Sequence, residues 1–463
     1  MENQVTGVRD LDPRAVPRPA ARRLPLLAGA LLSLLVALWG ALGLLNLDVP
    51  LPRTSFAQQH GPLMALGFLG TLISLERAVA LGRPWAYASP ALAAAGGLAT
   101  AAGFMLPGRL LLTAAGGWLI AIYITVLGRR TGRDLAVQIM GAVAWYAGGM
   151  LWIGGRTVGD VVPWLAAFLI LTIAGERLEL ARVAFLGRRA ADGLVAAAAV
   201  IGAGAAVSVR WDDPGWRLTG LGMIALAGWL AVHDVARRTV RGTGLPRFAA
   251  ACLLAGYAWL TVAGAIWLAA GRPASTGFYD AALHAVFLGF VISMVFGHAP
   301  VILPAVLRVR LPYHPILYVP LVLLHASLVV RVAGDLAGVS LARTTGGVLG
   351  EVALLLFGGC AFAASRLVRR EAPRPAGGPA AGSAGSAGAA GSAGEAAPGP
   401  DEKAAPKPDG EAAPGPDGEA APGPDGEVVP EPDREDAPGP DGEAAAGDAT
   451  GELAPGPGGK ERT

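Results

Sequence analysis

Charge is scarce in this sequence. Of its 463 residues 16% are Asp, Glu, Lys or Arg against 53% hydrophobic, and the charges gather at the ends of apolar runs and in about the last ninety residues. That distribution excludes an ordinary soluble domain and reads as membrane composition. Cysteine is scarcer still. Cys252 and Cys360 both lie inside apolar runs, with no second cysteine at metal-ligand spacing, which excludes a disulfide or zinc framework. No serine, cysteine or phosphate-binding motif points to a hydrolase or a kinase, and the glycines scatter through the apolar runs, as helix packing in a bilayer needs. A small-residue cleavage site is missing after Arg22 and Arg23, so the run after them is expected to be an uncleaved first span.

What the chain has in abundance is apolar length. A bilayer core about 30 Å thick takes roughly 20 apolar residues of helix. Twelve such windows appear, near 24–45, 61–81, 86–106, 109–128, 134–154, 161–185, 191–209, 216–235, 247–269, 279–303, 314–334 and 345–367. The expected fold is an all-α, polytopic membrane helix bundle of about twelve transmembrane helices. Arginine alternates with this count. Every second connection is rich in it, through Arg22, Arg23, Arg83, Arg129, Arg130, Arg133, Arg182, Arg188 and Arg189, then Arg237, Arg238, Arg241, Arg247, Arg308, Arg310, Arg366, Arg369 and Arg370. The opposite connections hold only Arg53, Arg109, Arg156, Arg210, Arg217, Arg272, Arg331 and Arg343. Arginine-rich connections belong in the cytoplasm, so both termini are expected there, in a cell (plasma) membrane.

The chain thus divides into three regions: a disordered cytoplasmic N-terminus at 1–21, a twelve-span domain at 22–370 and a tail at 371–463. The tail is acidic and settles into an eight-residue period of the type Glu-Ala-Ala-Pro-Gly-Pro-Asp-Gly, with copies at Glu395, Glu411, Glu419, Glu427, Glu435 and Glu443. Nearly free of large apolar side chains, it cannot recover the entropy lost on ordering and reads as a solvated spacer.

Within the body the second, sixth and tenth spans look alike, four helices apart, which suggests three four-helix units. Gly67-Phe68 is followed by Glu76, and Gly289-Phe290 by His298, each nine residues after the glycine; Gly175-Glu176-Arg177 echoes Glu76-Arg77.

Ionisable groups inside a bilayer cost at least about 2.5 kcal/mol each and are functional candidates by default. Here they form two layers. The inner one holds Glu76, Arg77, Glu176, Arg177 and Glu179, with His298 and His314 near the cytoplasmic ends of their helices. It reads either as ion pairs whose tips reach the interface or as a proton path. The outer one holds His60, His284 and, by residue count along its span, His325. Imidazole binds iron, copper or zinc as a neutral ligand, and a haem takes an axial ligand on each face, so paired histidines at one depth are candidate haem or metal ligands.

The stretch His60-Gly61-Pro62-Leu63-Met64-Ala65-Leu66-Gly67-Phe68 resembles the second-span signature of the NnrS family, membrane proteins associated with haem, copper and the nitric oxide response. The tenth span, with His284, Gly289, Met294 and Gly297-His298, is similar to that family's late span. Pro62 and Leu63 replace the family's second His and Glu, and Ala299-Pro300-Val301 replaces its Thr-Gly-Arg, so copper is not carried over with the resemblance. The pattern also resembles the haem-copper oxidase catalytic subunit, whose second and tenth spans supply the low-spin haem ligands. That resemblance implies haem b held by His60 and His284, with Arg331 and Arg343 as candidate propionate partners. It implies no oxygen reduction, because 161–209 lacks histidine. His325 is expected nearby as an additional or alternative ligand.

The function expected is a haem-binding membrane protein of this type, engaged in gas binding, electron transfer or the nitric oxide response. Its expected partners are membrane lipids and a redox partner or diatomic gas, with no nucleic acid. A proton-coupled transporter using the inner Glu and His residues is the alternative, and a scaffold acting through its tail is a third.

Overall fold

The computed structural model describes residues 23–45, 47–50, 52, 55–183, 187–307 and 313–371. The tail from 372 onward and the first 22 residues lie outside that set. Among the described residues there is no strand, and eleven helices are long and apolar enough to cross a membrane. This is a multi-pass membrane protein. We number the helices α1 Leu24–Leu44 and α2 His60–Leu81, α3 Ala88–Ala101, α4 Met105–Leu127, α5 Arg133–Ile153, α6 Val158–Ala181, α7 Arg188–Val207, α8 Asp212–His233, α9 Gly244–Ala270, α10 Thr276–Pro304, α11 Pro315–Ala337 and α12 Ser340–Arg366.

The short helix is α3. Hydropathy predicts a span over 86–106, but Gly103 takes φ +89°, a left-handed conformation that costs a residue with a Cβ dearly, and the chain turns there into α4. At its other end Pro84 opens a 3₁₀ turn, Pro84–Tyr87. What remains of α3 still crosses antiparallel to α4, with Gly96 against Leu112 and Thr100 against Gly108. The up-and-down alternation is therefore kept. The end of the bundle at which α2 begins is its upper end, and the opposite one its lower end.

Of the long helices, α6, α2 and α10 are the most buried. These are the three spans that look alike in the sequence; α10 touches both α6 and α2, and Arg77 of α2 reaches Glu176 of α6, while α1 reaches α12. Hydroxyls on the central helices are satisfied without water. Thr71 donates to the Gly67 carbonyl at 2.7 Å, Ser74 to Gly70 at 2.6 Å and Thr172 to Phe168 at 2.7 Å, which is how such residues are tolerated in an apolar medium.

Two of the central helices are not α-helical throughout. Leu63–Gly70 in α2 and Ala285–Ile292 in α10 are π-helical. Each segment begins four residues before its Gly-Phe pair and ends three after the glycine, so the two occupy one register of the internal repeat. Tight packing accompanies both. Gly67 lies against Ser33 of α1 and Gly97 of α3, and Gly289 against the Trp259 ring of α9. Wide π turns re-aim the side chains around them and recur at functional sites.

Candidate functional site

The upper third of the bundle encloses a cavity of about 420 Å³, within the range of small-molecule and cofactor sites. Its wall is mostly apolar, with Leu38 and Leu44 from α1, Met64 from α2, Val162 and Leu165 from α6, Leu283 and Phe287 from α10 and Leu354 from α12. Six ionisable residues interrupt that wall besides Tyr279: His60, Asp280, His284, Arg331, Arg343 and Glu351.

His60 and His284 thus share one cavity, as their place on the second and tenth spans predicts. Each is fixed by the main chain. His60 Nδ1 lies 2.8 Å from the Ala37 carbonyl of α1, and His284 Nδ1 lies 2.7 Å from the Asp280 carbonyl one turn earlier in its own helix. A carbonyl can only accept, so Nδ1 is the protonated nitrogen in both rings. Nε2 then keeps its lone pair. Among the described residues neither Nε2 has a hydrogen-bond partner. A carbonyl on the far nitrogen is also how metal-ligating histidines are oriented and made more basic.

The arginines stand beside them. Arg331 and Arg343 lie on α11 and α12, not in a loop as the oxidase-like pattern implies; the connection between these helices is only Gly338 and Val339. Arg343 donates to Asp280 Oδ2, and its Nε is 3.4 Å from Asp335. Asp280 therefore holds His284 through its main chain and Arg343 through its side chain. Arg331 is only 7% exposed, yet makes no hydrogen bond among the described residues. Its nearest carboxylate oxygens, on Asp280 and Asp335, are both 3.7 Å away, and Nε is buried without a partner. The guanidinium reaches the cavity because α12 presents Gly347 there, where a Cβ would sit 2.5 Å from Arg331 Nη1. Such a buried, under-coordinated guanidinium is receptive to an anion.

His325 is elsewhere. It does not line the cavity: its Nδ1 accepts from Trp259 Nε1 at 3.0 Å, and its Nε2 faces Ser293 Oγ at 3.3 Å, the hydroxyl itself bonding to the Cys252 carbonyl at 2.7 Å. Both ring nitrogens are engaged. Ser293 is nine residues beyond His284 along α10, so His325 sits well below the other two. Counting residues along a span places it too high; in the structure it is level with Ser293 of α10.

At the lower end the predicted inner layer is also assembled, as paired ions. Arg77 lies between Glu76 at 2.9 Å and Glu176 at 2.5 Å. Arg177 does not pair with its neighbour Glu176 but forks onto Asp234, Nε to Oδ2 at 2.8 Å and Nη2 to Oδ1 at 3.1 Å, and its Nη1 donates to His298 Nε2 at 3.2 Å. His298 Nδ1 is tied to the Met294 carbonyl at 2.7 Å. Asp234 also accepts from the Tyr257 hydroxyl at 2.8 Å and the Ala236 N–H at 2.8 Å. Glu179 is joined at 3.0 Å to Arg130, which also pairs with Asp134.

Three important acids escape sequence reasoning. Asp234, beside the exposed His233 and an arginine cluster, has the look of a solvated interface and is buried instead. Asp280 was readable as an acid one turn before His284. Glu351 was readable too, as a lone acid in the run Gly346-Gly347-Val348-Leu349-Gly350-Glu351-Val352-Ala353.

One family model, described as a domain of unknown function (DUF8744), matches residues 23–366. The chain belongs to that family. None of the curated proteins compared with the chain matches it.

Proposed function

We propose that this DUF8744 protein binds haem b in its upper cavity, with His60 and His284 as axial ligands, and serves electron transfer across or along the plasma membrane. One observation carries the reading. Two imidazoles from separate central helices line the same cavity, each with Nδ1–H tied to a carbonyl and, among the described residues, Nε2 left without a partner.

The donor set favours a tetrapyrrole over a bare ion. Among the described residues no three His, Cys, Asp or Glu side chains cluster as an ion site, whereas haem brings four nitrogens and asks the protein for its axial ligands alone. The apolar wall suits the ring, and Arg331 with its unmade hydrogen bonds suits a propionate, Arg343 standing beside it. When bound, the group would supply one-electron chemistry at a potential set by the two histidines. The protein's own residues do the rest. The carbonyls of Ala37 and Asp280 hold both rings in the Nδ1–H form, Leu38, Leu283 and Phe287 exclude water, and Asp280 couples the position of His284 to that of Arg343.

Held by both histidines, the group would have no position left for a gas, so electron transfer is favoured over gas binding. A place in the nitric oxide response follows from the NnrS resemblance alone. The arginine alternation supports an outward-facing upper end and cytoplasmic termini. The transport alternative would use Glu76, Glu176, Glu179 and His298 as carriers; each is paired in this structure, an arrangement that fits helix-fastening ion pairs better than an open path.

The test is the visible spectrum of the purified protein, oxidised and then dithionite-reduced, for wild type, His60→Ala and His284→Ala. A b-type spectrum lost or converted to a five-coordinate form in both variants is expected. A wild type that stays colourless after expression with ample haem overturns the proposal.

A further inference from the structure

We infer that Glu351 is the proton-accepting group of the upper cavity and takes up a proton when an electron arrives there. The inference rests on the haem reading and adds a role for a residue that reading does not use.

Glu351 is the one acid of the cavity wall with no cation within ion-pair distance among the described residues; Arg331 acts on it only from farther away. Asp280 takes Arg343 and is the nearest acid to one edge of Arg331, while Asp335 lies behind both arginines. Two arginines and two aspartates balance in charge; both Asp335 oxygens are also buried without a hydrogen bond, but Asp335 does not line the cavity. Glu351, on α12, makes no ion pair among the described residues, and its Oε1 is buried with no hydrogen-bond partner. A carboxylate in that state is costly in an apolar wall, and its protonation is set by whatever charge lies opposite.

The groups that face it across the cavity are His60 from α2, Tyr279, Asp280 and His284 from α10, Arg331 from α11 and Arg343 from its own helix; α1 and α6 contribute only uncharged residues to the wall. Both histidines are neutral donors in the proposed state, and the ion pairs are balanced. The variable charge is therefore that of the haem core. With two neutral axial ligands the ferric core carries one positive charge and the ferrous core none. The positive core favours the Glu351 carboxylate, and the neutral core favours the acid. Haem held there would take one electron from an external one-electron donor, and the part of this chain is to take up one proton from water at the upper end on a Glu351 oxygen. No other bond forms or breaks.

The experiment is an equilibrium redox titration of the full-length, haem-loaded protein, repeated across the neutral pH range and followed by the visible spectrum. For wild type, the reduced-to-oxidised ratio at a fixed potential is expected to fall tenfold per pH unit over part of that range, equivalent to about 59 mV for a one-electron couple. Glu351→Gln should remove this dependence, Glu351→Asp should retain it, and Asp335→Asn should leave it in place. As a measurement that needs no disabling variant, the redox-induced infrared difference spectrum of wild type should show a protonated-carboxyl band that appears on reduction and moves in Glu351→Asp. A pH-independent wild type overturns the inference while the haem reading stands. A dependence lost in Asp335→Asn but kept in Glu351→Gln overturns it in favour of Asp335. A protein that binds no haem overturns both.

Discussion

The two ends of this bundle are built from the same kinds of residue and use them in opposite ways. At the lower end every charge of the central ion network lies within ion-pair or hydrogen-bond distance of a partner, although Arg77 Nε is itself buried without a hydrogen bond. Arg77 lies between two glutamates, and Arg177 forks onto Asp234 and reaches His298. At the upper end Arg343 is paired with Asp280, but several other polar groups stop short of one another among the described residues: Arg331 has no hydrogen bond, Glu351 an oxygen without a partner, and both cavity histidines an unshared Nε2. A network of closely paired ions fastens helices together, whereas under-coordinated polar groups around a cavity are receptive to a ligand.

Mutations should separate the two ends. The largest loss of stability is expected from Asp234→Ala, which leaves Arg177 buried without its fork and Tyr257 without its acceptor; removal of one partner from a buried pair costs about 3–5 kcal/mol. Thermal unfolding in detergent measures it, and a melting temperature equal to wild type would break the contrast. Glu176→Gln takes one of two carboxylates from Arg77 and should cost about 2 kcal/mol, again seen as a lower melting temperature with the haem spectrum intact. His60→Ala and His284→Ala reverse the pattern. Each loses one hydrogen bond to a carbonyl, about 1 kcal/mol in the cofactor-free protein, yet each should abolish the six-coordinate spectrum. Arg133→Ala, which breaks an exposed pair with Asp192, sets the baseline at less than about 1 kcal/mol with no spectral change. If it proved as damaging as Asp234→Ala, burial would not be what distinguishes these pairs.

Particular residues show how far the sequence was legible. The windows for eleven spans were readable because hydropathy is a local property, and they agree with the helices to within a few residues. The window over 86–106 ran too long, since a single left-handed glycine at 103 outweighs the apolar residues around it. His60 and His284 could be paired because both lie near the same ends of look-alike helices. His325 could not be separated from them, as its direction depends on the rotation of α11 against Trp259. Asp234 was hidden by its charged neighbours, and the π-helical segments have no compositional mark, only the Gly-Phe pairs about which they turn out to be centred.

Helix count, membrane class and the approximate depth of each ionisable group follow from the sequence by itself, because transfer into a bilayer is paid residue by residue along the chain. Which of those groups face one another was decided only when α2, α6 and α10 came together. Partnership depends on the tilt, rotation and local winding of helices hundreds of residues apart, and no single segment contains that information. The same polar alphabet thereby became a closed ion network at one end and an open, histidine-bearing cavity at the other.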